Sequence, residues 1–159
     1  MRKVAEKAGF KEVRSYIASG NLLVSGAGTP AAVGTKLEKA VAKEFGIEVP
    51  IIVRTAEQWK AYLEVPKEFT KAAAEEPNHL LVGFPQQAPA KDAAKALAPR
   101  AVNGERLALH GDALWVHYGE TVAGSKLTSG SIDKAMGSPT TARNLNTVRK
   151  LAEMAGISP

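Results

Sequence analysis

The sequence predicts an α/β (α+β) fold made of two βαββαβ subdomains, the first of which lacks its opening strand. The second half of the chain shows the pattern of β-α-β-β-α-β and then a final helix, which is the ferredoxin-like order. The first half shows α-β-β-α-β and then a helix, the same ferredoxin-like order without its first strand. A length of 159 residues with 45% hydrophobic residues suits two small subdomains that share a core.

The first half begins with a predicted helix and a β-hairpin. The helix covers residues 2–8 and ends at Gly9, the residue type favoured in a left-handed cap. The stretch "VRSYIASGNLLVSG" (13–26) then gives two short strands around a polar turn. Gly20 and Asn21 both tolerate positive φ, so the turn is predicted at these two residues.

A helix, a strand and another helix follow the hairpin. Thr29 and Pro30 are typical of a helix cap and a first-turn proline. The segment "VPIIVRT" (49–55) is strongly apolar and predicts a short strand that is buried on both faces. Thr55 and Gln58 have the spacing of a capping box, which starts the next helix.

The second half begins after a polar segment bracketed by prolines, "VPKEFTKAAAEEPN" (65–78). This segment predicts a connection, so we divide the chain into an incomplete N-terminal subdomain (1–65), a connection (66–78) and a C-terminal subdomain (79–159). The predicted elements of the last part are a strand at 79–84, a helix at 88–98, a hairpin across Gly111-Asp112, a helix within 125–136, a strand at 140–144 and a helix that starts near Asn146.

The missing strand has a physical consequence. In a ferredoxin-like sheet the opening strand is central, so without it Leu22–Val24 and Ile51–Val53 present unpaired backbone groups to each other. A buried unpaired amide costs about 1–3 kcal/mol. We therefore expect an open slot that recruits a strand, with homo-oligomer formation as one outcome. A truncated or mis-set start would explain the gap.

Composition and charge limit the classes of function. The net charge of +5 and pI near 9.5 favour an anionic partner, although no basic run concentrates the charge. The absence of cysteine excludes disulfides and thiolate metal sites, and the three histidines show no metal-binding spacing. The sequence thus predicts no cofactor and no metal. It shows neither a signal peptide nor an apolar run of about 18 residues, which predicts a cytoplasmic protein without a membrane partner.

Two short polar clusters are candidate ligand sites. Ser19, Gly20 and Asn21 form a turn whose backbone amides could hold an anion, or they form an ordinary hairpin turn. Ser125 and Lys126 fit three interpretations: a nucleophile with its base, a phosphate contact at a helix start, or a simple helix cap.

The densest polar cluster is "RNLNT" (143–147). Asn144 or Asn146 can cap the last helix. Arg143 lies just before that helix, where its guanidinium could bind a carboxylate or a phosphate. An arginine is unfavourable near the positive end of a helix, so an anion at this point would explain it.

Four segments in this order, "YIASGNLLVSG", "VPIIVRTAEQW", "SKLT" and "TTARNLNTVRKLAEM", resemble the bacterial family called domain of unknown function 1697. The resemblance runs from about residue 1 to 155 and implies two ferredoxin-like halves, with no established activity. Family members typically begin with a strand similar to "ALLRGINVGG", which has no counterpart here. They also usually read "ARNWNT" where this chain has Leu145.

The leading functional hypothesis is a small cytoplasmic binding protein for an anionic ligand, either a nucleotide or a nucleic acid. Its predicted ligand residues are Ser19, Asn21, Ser125, Lys126, Arg143, Asn144 and Asn146. An alternative is a hydrolase or transferase that uses Ser125, Lys126 and the cluster at 143–146. A further alternative is an assembly partner that binds through the open edge of the sheet.

Overall fold

The computed structural model describes residues 1–17, 20–119 and 121–158. In these ranges it contains seven α-helices and six strands. The helices are α1 (Arg2–Lys7), α2 (Pro30–Phe45), α3 (Ala56–Ala61), α4 (Thr70–Glu75), α5 (Ala93–Leu97), α6 (Ser129–Met136) and α7 (Leu145–Met154). The strands are β1 (Lys11–Tyr16), β2 (Asn21–Ser25), β3 (Leu80–Pro85), β4 (Arg106–His110), β5 (Ala113–His117) and β6 (Thr140–Asn144).

The C-terminal sheet has the ferredoxin-like strand order. Its four strands lie in the order β4-β5-β3-β6, and every neighbouring pair is antiparallel. The predicted ferredoxin-like βαββαβ pattern of this half is confirmed. Because β3 is central and pairs on both edges, its sequence "LLVGFP" is apolar on both faces.

Alternation along β5 divides the core between the two faces of this sheet. Trp115 packs with α7 and with the segment around α4, in a cluster that includes Phe69, Phe84 and Val148. Leu114 and Val116 point the other way, into a cluster with buried residues of α5 and α6. The period-2 pattern of "ALWVH" predicts this division.

The N-terminal half has a smaller sheet with helices on one side. β1 and β2 form a two-stranded antiparallel hairpin, and Ala5, Phe10, Val13 and Leu37 form a core with α1 and α2. The predicted start of α2 is confirmed, since Thr29 Oγ1 accepts a hydrogen bond from the Ala32 amide at 3.2 Å.

The strand predicted at 49–55 is wrong. In the described residues β2 pairs only with β1, and residues 50–54 form no strand. The Ile51 amide donates to Glu38 Oε1 at 2.8 Å instead. The physical reason is that a strand is defined by ladder hydrogen bonds, and none of the described residues lie between this segment and β2 to supply them. A cavity lies there, which agrees with the predicted open slot.

The hairpin turn differs from the prediction in one residue. Among the described residues of the turn, Gly20 has a φ of 81°, as expected, and Ile17 has a φ of 50°, whereas Asn21 is the first residue of β2. The candidate Ser19 lies outside the described residues.

Two further elements differ from the predictions in their extent. The segment predicted as a connection contains α4, and Phe69, Ala72 and Ala73 within it are buried in the main core. α5 begins only at Ala93. The division into 1–65, 66–78 and 79–159 stays a prediction. In the part of the chain that the structure describes, no helix has the length and apolar character needed to cross a membrane.

Candidate functional site

A cavity of about 560 Å³ lies between the β1–β2 hairpin, residues 50–56 and the edge strand β6 of the C-terminal sheet. One side is apolar, with Phe10, Leu22, Val24, Val33, Leu37 and Ile51. Three arginines from distant parts of the chain also line it: Arg14, Arg54 and Arg143. The only acidic residue in this lining, among the described residues, is Glu12.

Two of the predicted ligand residues meet at this cavity. Arg143 Nε donates to Asn21 Oδ1 at 2.5 Å, although the two residues are 122 positions apart. Asn21 is only 7% exposed, and its Nδ2 donates to the Tyr16 carbonyl at 3.1 Å. This contact joins the first residue of β2 to the edge strand β6.

The guanidinium of Arg143 is oriented by further neutral acceptors. Its Nη1 donates to Thr141 Oγ1 at 2.7 Å and to the Ala142 carbonyl at 2.8 Å. Burial lowers the pKa of Arg143 from its usual value. Since an arginine pKa starts far above neutrality, the guanidinium keeps its charge in a half-buried position. A fixed, partly desolvated cation of this kind interacts strongly with an anion.

Arg14 adds a second guanidinium on the hairpin side. It lies on β1 opposite Leu23 and is exposed. Within the ranges that the structure describes, its side chain has no hydrogen-bond or ion-pair partner. Its side chain can therefore turn toward a ligand in the cavity without breaking an existing contact.

The two asparagines of the last cluster have other contacts. Asn144 is the cap of α7, because its Oδ1 accepts from the Thr147 amide at 2.9 Å. Asn146 is exposed and its Nδ2 donates to Asn78 Oδ1 at 2.8 Å. Neither asparagine lines the cavity.

Ser125 and Lys126 lie outside the cavity. The helix predicted within 125–136 is present, but it does not begin at Ser125 or Lys126, as the phosphate-contact and helix-cap interpretations require. α6 begins at Ser129, where Thr128 Oγ1 accepts from the Ser131 amide. Ser125 Oγ donates to Glu105 Oε1 at 2.5 Å. The helix begins after Thr128 because this residue has the stronger local signal for a cap, with its hydroxyl three residues before an available amide.

The contacts of Ser125 also weaken the nucleophile interpretation. The hydrogen bond from Ser125 holds the pKa of Glu105 below its usual value. A carboxylate with a lowered pKa is a poor general base. Lys126 is exposed and has no partner among the described residues, so the pair needed for a serine–lysine mechanism is not formed there.

A cluster of hydrogen-bonded side chains beside the cavity, Arg54, Tyr62 and Asp112, includes none of the site residues predicted from the sequence. Arg54, with a side chain 11% exposed, donates from Nη2 to the Pro85 carbonyl at 2.6 Å and from Nε to Tyr62 Oη at 3.0 Å. Tyr62 in turn donates to Asp112 Oδ1 at 2.9 Å. These contacts join the segment after α2 to the β4–β5 turn. No local pattern indicates them, because Tyr62 and Asp112 are 50 positions apart.

Tyr62 gives this group a pH dependence. Burial, together with the nearby Asp112, raises the pKa of Tyr62 to about 12 from 10.0. The unfolded chain therefore loses this proton first, and we expect the free energy of unfolding to fall as the pH rises from about 10 to about 12. Denaturant titrations at about pH 9 and about pH 11 measure the fall, which we expect to be smaller in Tyr62→Phe. An equal fall in both proteins would contradict the assignment to Tyr62.

The described residues contain no group of three or more histidine, cysteine, aspartate or glutamate side chains placed to hold a metal ion. The candidate site is thus defined by arginines, amide and hydroxyl groups and apolar side chains.

Comparisons with known proteins identify a family and a fold. The sequence matches the family described as "Protein of unknown function (DUF1697)" over residues 1–115. A solved structure, described as that of conserved bacterial protein SP0830 from Streptococcus pneumoniae, is similar with a TM-score of 0.70 and 20% identity. The match covers 98% of this chain and 86% of that chain, and it shows a shared fold. No curated protein matches this chain.

Proposed function

Since the chain belongs to the DUF1697 family, whose description names no reaction, we propose its function from the cavity. The cavity binds an anionic ligand, which is either a nucleotide or a nucleic acid. The observation that carries the proposal is the position of two guanidinium groups on one cavity, Arg14 from the hairpin and Arg143 from β6. Guanidinium groups bind phosphate through paired hydrogen bonds.

The contacts around Arg143 favour phosphate binding more than the surroundings of a freely exposed arginine would. Asn21 and Thr141 hold the guanidinium in one orientation, so binding costs little additional side-chain entropy. Arg14 has no such restraint and can adjust to the ligand. A fixed cation and an adjustable one together suit a group with several oxygens, such as a diphosphate.

The size of the cavity favours a nucleotide over a nucleic-acid strand. Its volume of about 560 Å³ falls in the range of small-molecule sites. Base stacking on an open sheet would need exposed aromatic rings, but Trp115 of the C-terminal sheet is 1% exposed. The net charge of +5 still helps either ligand to approach.

Thermal unfolding with adenosine diphosphate, and separately with inorganic pyrophosphate, tests the proposal. We expect an increase of several degrees in Tm at saturating ligand, and a smaller increase at high salt. Arg14→Ala should weaken binding by about tenfold, because it removes a charge-assisted contact. Arg143→Lys should also weaken it, since it keeps the charge and loses the hydrogen bonds to Asn21 and Thr141 that hold the cation in place.

Two control variants remove exposed cations that do not line the cavity, Arg100→Ala and Lys126→Ala. Both variants should show the same ligand-induced increase in Tm as the parent protein. The proposal is wrong if neither probe raises Tm, or if the cavity variants and the control variants respond equally.

The hydrolase or transferase hypothesis has less support. Ser125 is bound to Glu105, and the pKa of that carboxylate is lowered rather than raised. We therefore place no reaction at this site.

A further inference from the structure

The positive charge of this protein is concentrated in its first 46 residues. They contain eight lysines and arginines against four glutamates, so they hold a surplus of four out of the net charge of +5 of the whole chain. No run of neighbouring cations marks this part of the sequence. The long helix α2 brings three of them together, namely Lys36, Lys39 and Lys43.

Helical spacing places these three lysines, called here the lysine row, along one face of α2. They follow each other at intervals of three and four residues, which are neighbouring positions on a helix surface. All three are exposed, whereas Leu37 and Val41 of the same helix are buried. At 1.5 Å per residue, the row extends about 10 Å along the helix axis.

The lysine row has no carboxylate to balance its charge. Of the two glutamates of α2, Glu44 is paired with Lys7 at 3.0 Å and Glu38 accepts from the Ile51 amide at 2.8 Å. Within the described residues, none of the three lysines forms an ion pair. Like charges three and four positions apart on a helix repel each other, so a bound polyanion would stabilise this face.

The surface beside the row is open and formed by small side chains. A shallow depression on α2 is lined by Ala31, Ala32 and Thr35 together with Lys36 and Lys39. The two lysines are the only large side chains in this lining among the described residues. An extended anion can therefore lie against the helix and reach the ammonium groups.

We propose that the lysine row binds the phosphate backbone of a nucleic acid. Each strand of a DNA duplex carries one phosphate per 3.4 Å of axis, so a row of about 10 Å faces about three phosphates. Lysine contacts phosphate as a point charge, and contacts to phosphate carry no base information. Binding is accordingly independent of the base sequence.

The exposed apolar side chain of α2 argues against a lipid surface as the partner. Helices that lie on membranes bury large apolar residues on one face and place their cations beside that face. Phe45 is exposed, but it comes nine positions after Lys36, which is about half a turn away around the helix. A lysine row that faces an anionic membrane would point Phe45 away from it.

This inference goes beyond the proposed function and does not rest on it. None of the three lysines lines the cavity that holds Arg14 and Arg143. Adenosine diphosphate and a DNA duplex therefore probe different surfaces of the protein. If the nucleotide failed to raise Tm while the duplex bound through the row, only the proposed function would be refuted.

Fluorescence anisotropy with a labelled DNA duplex of about 20 base pairs, at several salt concentrations, tests the proposal. We expect the logarithm of the association constant to fall with the logarithm of the salt concentration, with a slope of about −2.7 or steeper. A duplex of scrambled sequence should bind equally. In the variant with Lys36→Ala, Lys39→Ala and Lys43→Ala, binding at low salt should weaken at least about tenfold, and the slope should become shallower by about 2.7.

The matched control replaces three exposed lysines of the other half of the chain by alanine, Lys91, Lys95 and Lys134. It lowers the net charge by the same amount and should bind the duplex as the parent protein does.

A second variant, with Lys39→Ala and Lys43→Ala alone, protects the test against a loss of folding. It keeps Lys36, whose Nζ lies 5.0 Å from the centre of the Phe10 ring. Its slope should become shallower by about 1.8. Thermal unfolding without ligand confirms that each variant is folded.

Three results would overturn the proposal. The first is no binding of the duplex at low salt, including the case in which vesicles with phosphatidylserine bind through the row instead. The second is an equal loss in the row variant and its matched control, because net charge alone would then explain the binding. The third is a loss in Arg14→Ala without a loss in the row variant, because the nucleic acid would then occupy the cavity.

Discussion

Replacing Phe84 with alanine is expected to lower the free energy of unfolding by about 3–5 kcal/mol. Phe84 is 2% exposed and lies on the central strand β3. Its ring centroid is 4.9 Å from that of Trp59 and 4.8 Å from that of Tyr62. The substitution leaves a cavity and removes both aromatic contacts, and these contacts join the residues of α3 and its end to the C-terminal sheet.

A matched control for Phe84→Ala is Phe45→Ala. Phe45 is 52% exposed at the end of α2, so its loss should change the free energy of unfolding by no more than about 0.5 kcal/mol. Urea denaturation followed by tryptophan fluorescence measures both variants. A loss of less than about 1 kcal/mol in Phe84→Ala would show that this aromatic cluster does not support the fold as described.

The second large effect is an energetic coupling between Asn21 and Arg143. We expect each alanine substitution to be destabilising, and the double variant to lose about 1–2 kcal/mol less than the sum of the two single losses. The reason is that Asn21 Oδ1 accepts directly from Arg143 Nε at 2.5 Å in a partly buried position. Removing one partner leaves the other without this bond, and removing both avoids that cost.

Asn103 provides the comparison for this double-mutant cycle. Its contacts are the Glu105 carboxylate and the Gly124 carbonyl, which Arg143 does not share. Asn103→Ala and Arg143→Ala should therefore be additive within about 0.5 kcal/mol. If the losses for Asn21→Ala and Arg143→Ala were additive as well, the hydrogen bond between these two residues would make no net contribution to the free energy of unfolding.

Two variants separate the structural role of Arg143 from its proposed role in ligand binding. Arg143→Lys keeps a cation near Asn21, so it tests ligand affinity with less loss of stability than Arg143→Ala. Arg14→Ala removes an exposed side chain without a described partner and should change ligand affinity alone.

Elements with a local cause were predicted well from the sequence. The capping box of Thr55 and Gln58 is present at the start of α3, with both hydrogen bonds formed. Gly9, which follows the end of α1, is in the left-handed conformation, with a φ of 88°. The hairpin across Gly111-Asp112 has its positive φ at Gly111. In each case the deciding interaction lies within about four residues of the signal.

The predictions that failed concern elements whose structure depends on residues far away in sequence. The apolar run at 49–55 has the composition of a buried strand, but pairing depends on a neighbour that this pattern does not contain. The buried positions of α4 make contacts with Trp115 and Val148, far away in sequence, and the polar residues around them concealed its helical pattern. The interpretations that place Ser125 at a helix start fail because the cap of α6 is Thr128.

By itself the sequence determined the ferredoxin-like order of the second half, the gap in the first, and the choice of Asn21 and Arg143 as candidates, because periodicity, caps and turn residues act over a few positions. Only the tertiary structure decided that those two residues meet, that Arg54, Tyr62 and Asp112 form a group, and that Ser125 lies elsewhere. Contacts across 50 or 122 positions are set by how the two sheets pack, and packing depends on the whole core at once.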